Sequence, residues 1–212
     1  MNCMLIFDLD GTLWNSSEQV AESWNIVLNQ YAPNLPPFTG ADIRSVMGRT
    51  MDEISDVLLS DKEIPDRRAL FARCEEYEVE YIARHGGNLF PGVKETIRKL
   101  YQSGYKMSVV SNCQRGYISS FFVSTDLGKY FCDLEEWGNT GLLKADNIRL
   151  VMERNHFDKA VYIGDTAGDE TSAHRAGIPF IFASYGFGSA VSPEAVISSF
   201  ADLPEILTGF SL

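Results

Sequence analysis

Apolar residues follow two rhythms along this chain, and the places where the rhythm changes divide it. Met4-Leu5-Ile6-Phe7 is an unbroken apolar run that stops in Asp8-Leu9-Asp10-Gly11-Thr12. It reads as a strand buried on both faces that ends in a polar turn. From about residue 15 to 86 the spacing is helical. Ser16-Ser17 offers an N-cap for a helix of about 17–31 with Val20, Trp24, Val27, Leu28 and Tyr31 on one face, and Pro33, Pro36 and Pro37 end it. Thr39 caps a short helix through Met47, and Thr50 with Glu53 has capping-box spacing for a helix over 51–59 carrying Ile54, Val57 and Leu58. Pro65-Asp66 opens a long helix with Leu70, Phe71, Cys74, Tyr77, Tyr81 and Ile82 on one face, closed by Gly86-Gly87. No convincing strand falls in this stretch.

From Leu89 onward short apolar runs alternate with helical segments. A helix over 93–102, with Val93, Ile97, Leu100 and Tyr101 inward, precedes a strand over 105–110 that ends in Ser111-Asn112. A helix carrying Tyr117, Ile118, Phe121 and Phe122 follows, then a short strand near 131–134, a turn over 138–141 and a helix of about 147–154. The strand 160–163 breaks at Gly164-Asp165 into a helix reaching Ala176. Strands near 179–183 and 195–198 and a helix over 204–208 close the chain. Strands alternating with helices argue for the α/β class, because each parallel crossover needs a helix-length connection. The expected architecture is a doubly wound parallel sheet, residues 1–14 and 87–212, with an inserted all-helical cap, residues 15–86.

Three of these strands end in polar residues at the edge where open parallel sheets bind ligands. Asp8 and Asp10 stand one residue apart, and each raises the other's pKa unless a cation neutralises them. The pair points to a hard divalent ion such as Mg2+ with oxygen ligands, or else to a solvated Asp-Gly turn. Ser111 and Asn112 offer a hydroxyl and helix-start N–H groups for a phosphoryl oxygen, unless Ser111 only caps the next helix. Asp165 and Asp169 add a second carboxylate pair four residues apart, on one face of a helix beginning near Thr166. Lys144 could supply a further positive charge, although most Lys residues are solvated surface.

Composition narrows the partners. A net charge of −11 over 212 residues argues against binding a phosphate backbone and for small-molecule partners. Cys3, Cys74, Cys113 and Cys132 are widely spaced, so reduced thiols in a cytoplasm are expected rather than zinc or a disulfide framework. No apolar run approaches membrane-spanning length, and no targeting segment is read at the start.

Taken in order, Asp8-Leu-Asp10-Gly-Thr, Ser111-Asn112, Lys144 and Gly164-Asp165 with Asp169 resemble the four motifs of the haloacid dehalogenase superfamily of aspartate-nucleophile phosphotransferases. The helical insertion resembles the cap of its phosphoglycolate phosphatase-like branch, so the resemblance spans almost the whole chain. It implies Asp8 as nucleophile and metal ligand. Asp10 would be the general acid/base with its backbone carbonyl on Mg2+, and Asp165 a further metal ligand. Asp169 would support the metal's waters, Ser111, Asn112 and Lys144 would bind the phosphoryl group, and Thr12 would support the loop. Gly48-Arg49-Thr50 resembles the cap segment facing the site, where Arg49 could reach a substrate carboxylate or phosphate, or be an ordinary exposed Arg. Two departures bear on the pocket's shape: Ala145-Asp146 follows Lys144 where family members often have Pro, and Asn15 stands where many carry an acid. The expected activity is Mg2+-dependent hydrolysis of a small phosphorylated metabolite through an aspartyl-phosphate, by a monomer or homodimer. A phosphosugar mutase and a non-catalytic Mg2+/phosphate-binding module are the alternatives. Dehalogenation would leave Asp10 without a role.

Overall fold

The computed structural model describes residues 3–59, 64 and 66–210. Pro65, expected to open the long helix, lies outside them. In chain order the elements are β1 (Cys3–Phe7), β2 (Trp14–Asn15), α1 (Ser17–Tyr31), α2 (Gly40–Arg44), α3 (Met51–Leu59), α4 (Arg67–His85) and β3 (Asn88–Leu89). They continue through α5 (Val93–Gln102), β4 (Lys106–Ser111), α6 (Tyr117–Thr125), β5 (Asp133–Glu136), α7 (Trp137–Thr140) and α8 (Lys144–Arg154). The chain then runs through β6 (Lys159–Gly164), α9 (Ala167–Ala176), β7 (Phe180–Ala183), β8 (Ala195–Ile197) and α10 (Leu203–Gly209).

Six strands form one parallel sheet in the order β5-β4-β1-β6-β7-β8. The unbroken run of β1 is central and wholly buried, as a strand covered on both faces must be. Its residues alternate between two packing layers. Cys3, Leu5 and Phe7 join a core with Val93 and Ile97 of α5, Ile118 and Phe121 of α6, and Leu203 and Leu207 of α10. Met4 and Ile6 face the other way, onto Ile148 and Val151 of α8 and Ala173 of α9. After β1 the chain fills one side of the sheet with β4 and β5, then crosses back to β6 on the other side. The strand order therefore reverses at β1, and ligand crevices open at the carboxyl ends of strands there.

The segment expected to be only helical carries α1 to α4, but its ends are tied by a strand pair. β2 runs antiparallel to β3, so both passages between sheet and helical layer go through one two-stranded ribbon. Two-residue strands are too short for a periodicity to announce. Trp14 anchors the ribbon, fully buried against Phe121 at 4.8 Å and Tyr117 at 6.0 Å between ring centroids.

Several local expectations shift. Tyr31, Val57 and Tyr101 sit near the inward faces by spacing but are about half exposed, while Thr96 takes an inward place on α5. The β5 strand begins at Asp133, beyond a short 3-10 turn over Gly128–Tyr130, and the expected turn at 138–141 is largely the short helix α7. α8 begins at Lys144 rather than near Asn147, which puts that lysine on the first helical residue. No described helix is long and apolar enough to cross a membrane.

Candidate active site

The Asp8-to-Thr12 turn leaves the sheet at its centre. Asp8 continues the ladder by donating its N–H to the Ile163 carbonyl at 2.8 Å, and Gly11 then takes a φ of +84°, which disfavours any residue with a Cβ. Space gives a second reason for glycine, since a Cβ there would stand 2.1 Å from Asp165 Oδ2. The first strand's turn and the carboxylate after β6 are thus packed directly against each other.

Asp8, Asp165 and Asp169 each offer a carboxylate oxygen, and these oxygens all lie within 4.8 Å of one another. All three acids are buried. Lys144 Nζ donates to Asp8 Oδ1 at 2.9 Å and to Asp169 Oδ1 at 2.6 Å. Each acid is also fixed from its own side. Asp169 is the third residue of α9, and its Oδ2 accepts the Thr166 N–H at 3.0 Å while its own N–H donates to Thr166 Oγ1 at 3.1 Å, a capping box. Asp165 accepts from Thr12 Oγ1 at 3.3 Å and from the Phe187 N–H at 2.7 Å. The Tyr185 hydroxyl donates to the Thr12 carbonyl at 2.9 Å, closing the loop after β7 over the site.

Burial sets the electrostatics. It pushes Asp165 up to about 8, with the negative charges of Asp169 and Asp8 adding to it. Asp8 rises to about 6, because burial outweighs the opposing Lys144 charge. Lys144 is itself disfavoured by burial, yet Asp169 and Asp8 hold its ammonium protonated well above the ordinary range. Three carboxylates against one ammonium leave an uncompensated negative charge in a buried place, and hard oxygen ligands of that kind suit a divalent cation.

Asp10 is held apart from this group. Its Oδ1 accepts from the Ser16 hydroxyl and from the Tyr117 hydroxyl, the latter at 3.2 Å, and Ser16 Oγ and Tyr117 Oη are 2.7 Å from each other. Burial raises Asp10 to about 7, against the Ser16 bond and with Asp8 adding to it. Two carboxyl groups one residue apart therefore have different company: charges around Asp8, neutral hydroxyls around Asp10.

Ser111 ends β4 with its hydroxyl beside the Asp8 carboxylate. It does not cap the next helix, since α6 starts six residues later behind Gly116. The N–H groups of Gly116 and Ile118 at that helix start are taken by the Glu136 carboxylate, so they are not free for a phosphoryl oxygen as the sequence had led us to expect. Asn112 turns its Nδ2 to the Gly48 carbonyl at 2.9 Å, bridging the sheet to the helical layer. Arg49, next in that loop, lines the cavity under the helical layer but is exposed.

That cavity, about 40 Å3, is lined by Asp8, Asp10 and Ser111 from the sheet edge and by Trp24, Glu78 and Gln114 among others. Sequence reasoning missed Ser16, Tyr117, Gln114 and Glu78. Ser16 stands where an N-cap is expected, but it makes no capping bond and donates to Asp10 instead. Glu78 did leave a signal. It falls four residues after Cys74 and four before Ile82, an acid on the buried face of α4.

A parallel sheet reversing at its first strand, with acids from two strand ends and a lysine meeting there under a helical layer, defines a phosphotransferase-type α/β hydrolase. The sequence matches the haloacid dehalogenase-like hydrolase family over residues 5–183, and the chain belongs to that family. It is a phosphoric monoester hydrolase of the phosphoglycolate phosphatase-like kind. It is 31% identical to the phosphoglycolate phosphatase of Rhodobacter capsulatus, covering 98% of this chain and 97% of the relative. It is 26% identical to the plasmid phosphoglycolate phosphatase of Cupriavidus necator, covering 96% and 92%. The fold is shared with a crystal structure described as a predicted phosphoglycolate phosphatase from Haemophilus somnus 129pt, with a TM-score of 0.81, 23% identity and coverage of 98% and 99%. It is also shared with CbbY from Rhodobacter sphaeroides in complex with phosphate, with a TM-score of 0.78, 18% identity and coverage of 96% of each chain.

Proposed function

We propose that this chain hydrolyses a small phosphorylated metabolite in two steps, through an aspartyl-phosphate on Asp8. The observation that carries this reading is the separation of the two neighbouring acids, Asp8 beside an ammonium and a hydroxyl, Asp10 beside neutral hydroxyls. Asp8, next to Lys144, is poised as the charged nucleophile. Asp10, raised to about 7, can hold a proton for the leaving alkoxide oxygen at neutral pH and afterwards accept one from the attacking water. Lys144 and Ser111 face the phosphoryl oxygens and oppose their charge, which is most of what a protein contributes to this transfer. Thr12 holds the loop through Asp165, and Asp169 orients Lys144. Asp8, Asp165 and the Asp10 carbonyl would hold Mg2+, with Asp169 supporting its waters, and the ion would supply further neutralisation of the phosphoryl group. The helical segment 15–86 acts as a cap that closes at the ribbon of β2 and β3 and excludes bulk water. Asn112 and Arg49 meet the substrate from the seam between cap and core.

The test compares wild type with Asp8→Asn on p-nitrophenyl phosphate with Mg2+, reading phosphate release. A loss of roughly 10⁴-fold or more is expected on removing a nucleophile, together with loss of acid-stable label from a radioactive ester. Undiminished turnover in the variant would refute the assignment. With a sugar phosphate as the substrate, isomerised phosphosugar in place of free phosphate would establish the mutase instead.

A further inference from the structure

The loop between β7 and β8 carries no group that the hydrolytic steps use, yet it is fastened around the site at three places. Near its start, the Tyr185 hydroxyl donates to the Thr12 carbonyl at 2.9 Å. At its apex the Phe187 N–H donates to Asp165 Oδ2 at 2.7 Å. Gly186 and Gly188 flank that bond closely: a Cβ would stand 2.3 Å from Asp165 Cβ at the first and 2.8 Å from the Asp165 carbonyl oxygen at the second. Toward the end of the loop, the N–H groups of Val191 and Ser192 both donate to the Glu170 carboxylate, at 2.7 and 2.6 Å. Glu170 is buried at 5% exposure and belongs to α9, the helix whose first turn holds Asp169. A carboxylate accepting from two consecutive amides is among the stronger hydrogen-bonding arrangements available to a loop. The segment is thus a strap over Asp165, held at its far end by Glu170.

From this, resting on the metal reading above, we propose that the strap holds the Asp165 carboxylate in one orientation and so makes the site prefer Mg2+ to Ca2+, with Glu170 as the positioning residue. Both oxygens of Asp165 are already engaged, Oδ2 by the Phe187 N–H and Oδ1 by the Thr12 hydroxyl at 3.3 Å. A carboxylate fixed at both oxygens can lend a cation a lone pair, but it cannot swing to embrace the ion with both. Mg2+ asks for no more, since it takes about six oxygens at roughly 2.0–2.1 Å in near-ideal octahedral order. Ca2+ takes about six to eight oxygens at roughly 2.3–2.6 Å and draws on bidentate carboxylates that adjust to it. Rigidity at Asp165 therefore costs Ca2+ contacts and Mg2+ none. Loosening the strap frees Asp165 to turn, which removes pre-organisation for the smaller ion and restores adaptability for the larger one. Glu170 acts through the loop backbone, one step removed from the ion.

The experiment titrates MgCl2 or CaCl2 into the metal-free full chain and reads binding by calorimetry in wild type, Glu170→Gln and Gly186→Ala. Glu170→Gln keeps the shape of the side chain but leaves one of the two amides facing a donor. Wild type should bind Mg2+ more tightly than Ca2+. Glu170→Gln should weaken Mg2+ at least about tenfold, the usual cost of losing a group that orients a metal ligand. It should leave Ca2+ within about threefold, because a freed carboxylate adapts to that ion. Gly186→Ala forces the strap off Asp165 and should move the ratio of the two affinities the same way, so the comparison survives if either variant fails to fold. A merely structural role would lower the metal-free melting temperature and leave that ratio where it was, which overturns the proposal, as does tighter binding of Ca2+ than of Mg2+ by wild type. If wild type binds neither ion, the metal reading itself fails and the proposal with it. Binding of both with an unchanged ratio in the variants defeats the proposal alone.

Discussion

The sheet edge and the cavity beneath the helical layer differ in the company their acids keep. At the sheet edge, Asp8, Asp165, Asp169 and Lys144 are ionisable, buried and each tied by at least one further contact to a strand end or helix start. Beneath the helical layer, apolar walls surround one buried acid, Glu78, with the carboxamide of Gln114 beside it. On the function proposed above, the sheet edge is committed to a phosphoryl group by its ionisable set, which cannot change without unbalancing the buried partners. The second depends on shape and neutral hydrogen bonds, and single side chains there can change without disturbing the sheet. A common reaction with a variable leaving group needs that division.

The comparison breaks most easily at Lys144. Lys144→Met leaves Asp8 and Asp169 without their shared ammonium, and breaking a buried pair this way costs about 3–5 kcal/mol. Denaturant unfolding of the metal-free protein at pH 8 measures it. A cost below 1 kcal/mol would mean the cluster is not electrostatically coupled.

Next in size is the effect of Mg2+ and its dependence on pH. Asp8, Asp10 and Asp165 are raised to about 6, 7 and 8, so the folded state binds more protons than the unfolded one across that range. Their stabilising contribution is full below the unfolded carboxylate range near about 4 and is lost as pH rises through 8. Mg2+ competes with those protons, so its shift of the melting temperature should be large at pH 8 and small at pH 5. At a hundredfold excess over Kd the gain is about 2.7 kcal/mol. Asp165→Asn should remove most of the shift while raising the metal-free melting temperature at pH 8, because it deletes one of the repelling charges. A shift independent of pH would contradict the proton competition.

Tyr117→Phe sharpens the contrast between the two neighbouring acids. It removes one neutral donor from Asp10 and touches nothing around Asp8. A fall of roughly tenfold in kcat is expected, in line with a net hydrogen-bond contribution of about 1–1.5 kcal/mol, with the Mg2+ shift unchanged.

The smallest effects compare two capping boxes of the same composition, Thr39 with Asp42 in the helical segment and Thr166 with Asp169 at the sheet edge. Thr39→Ala and Thr166→Ala should each cost about 1 kcal/mol of stability. Only Thr166→Ala should also slow p-nitrophenyl phosphate hydrolysis, because its partner holds Lys144. Equal activity in both would detach Asp169 from the site.

What the amino-acid order determined alone was local and periodic. The buried run of β1, the helical spacing of residues 15–86, the alternation after Leu89 and the acids at strand ends are all written within a few residues of one another. Tertiary structure decided what required distant segments to meet. Gly11 packs on Asp165, Ser16 leaves its cap for Asp10, and Glu136 takes the amides at the start of α6. It also placed Glu78 on a cavity wall beside Trp24 and Gln114, company that an acid on a helix face gains only in the folded chain. Periodicity says which way a side chain points. What it meets there depends on chain folded from a hundred residues away, and the desolvation that gives each polar group its chemistry comes from that meeting.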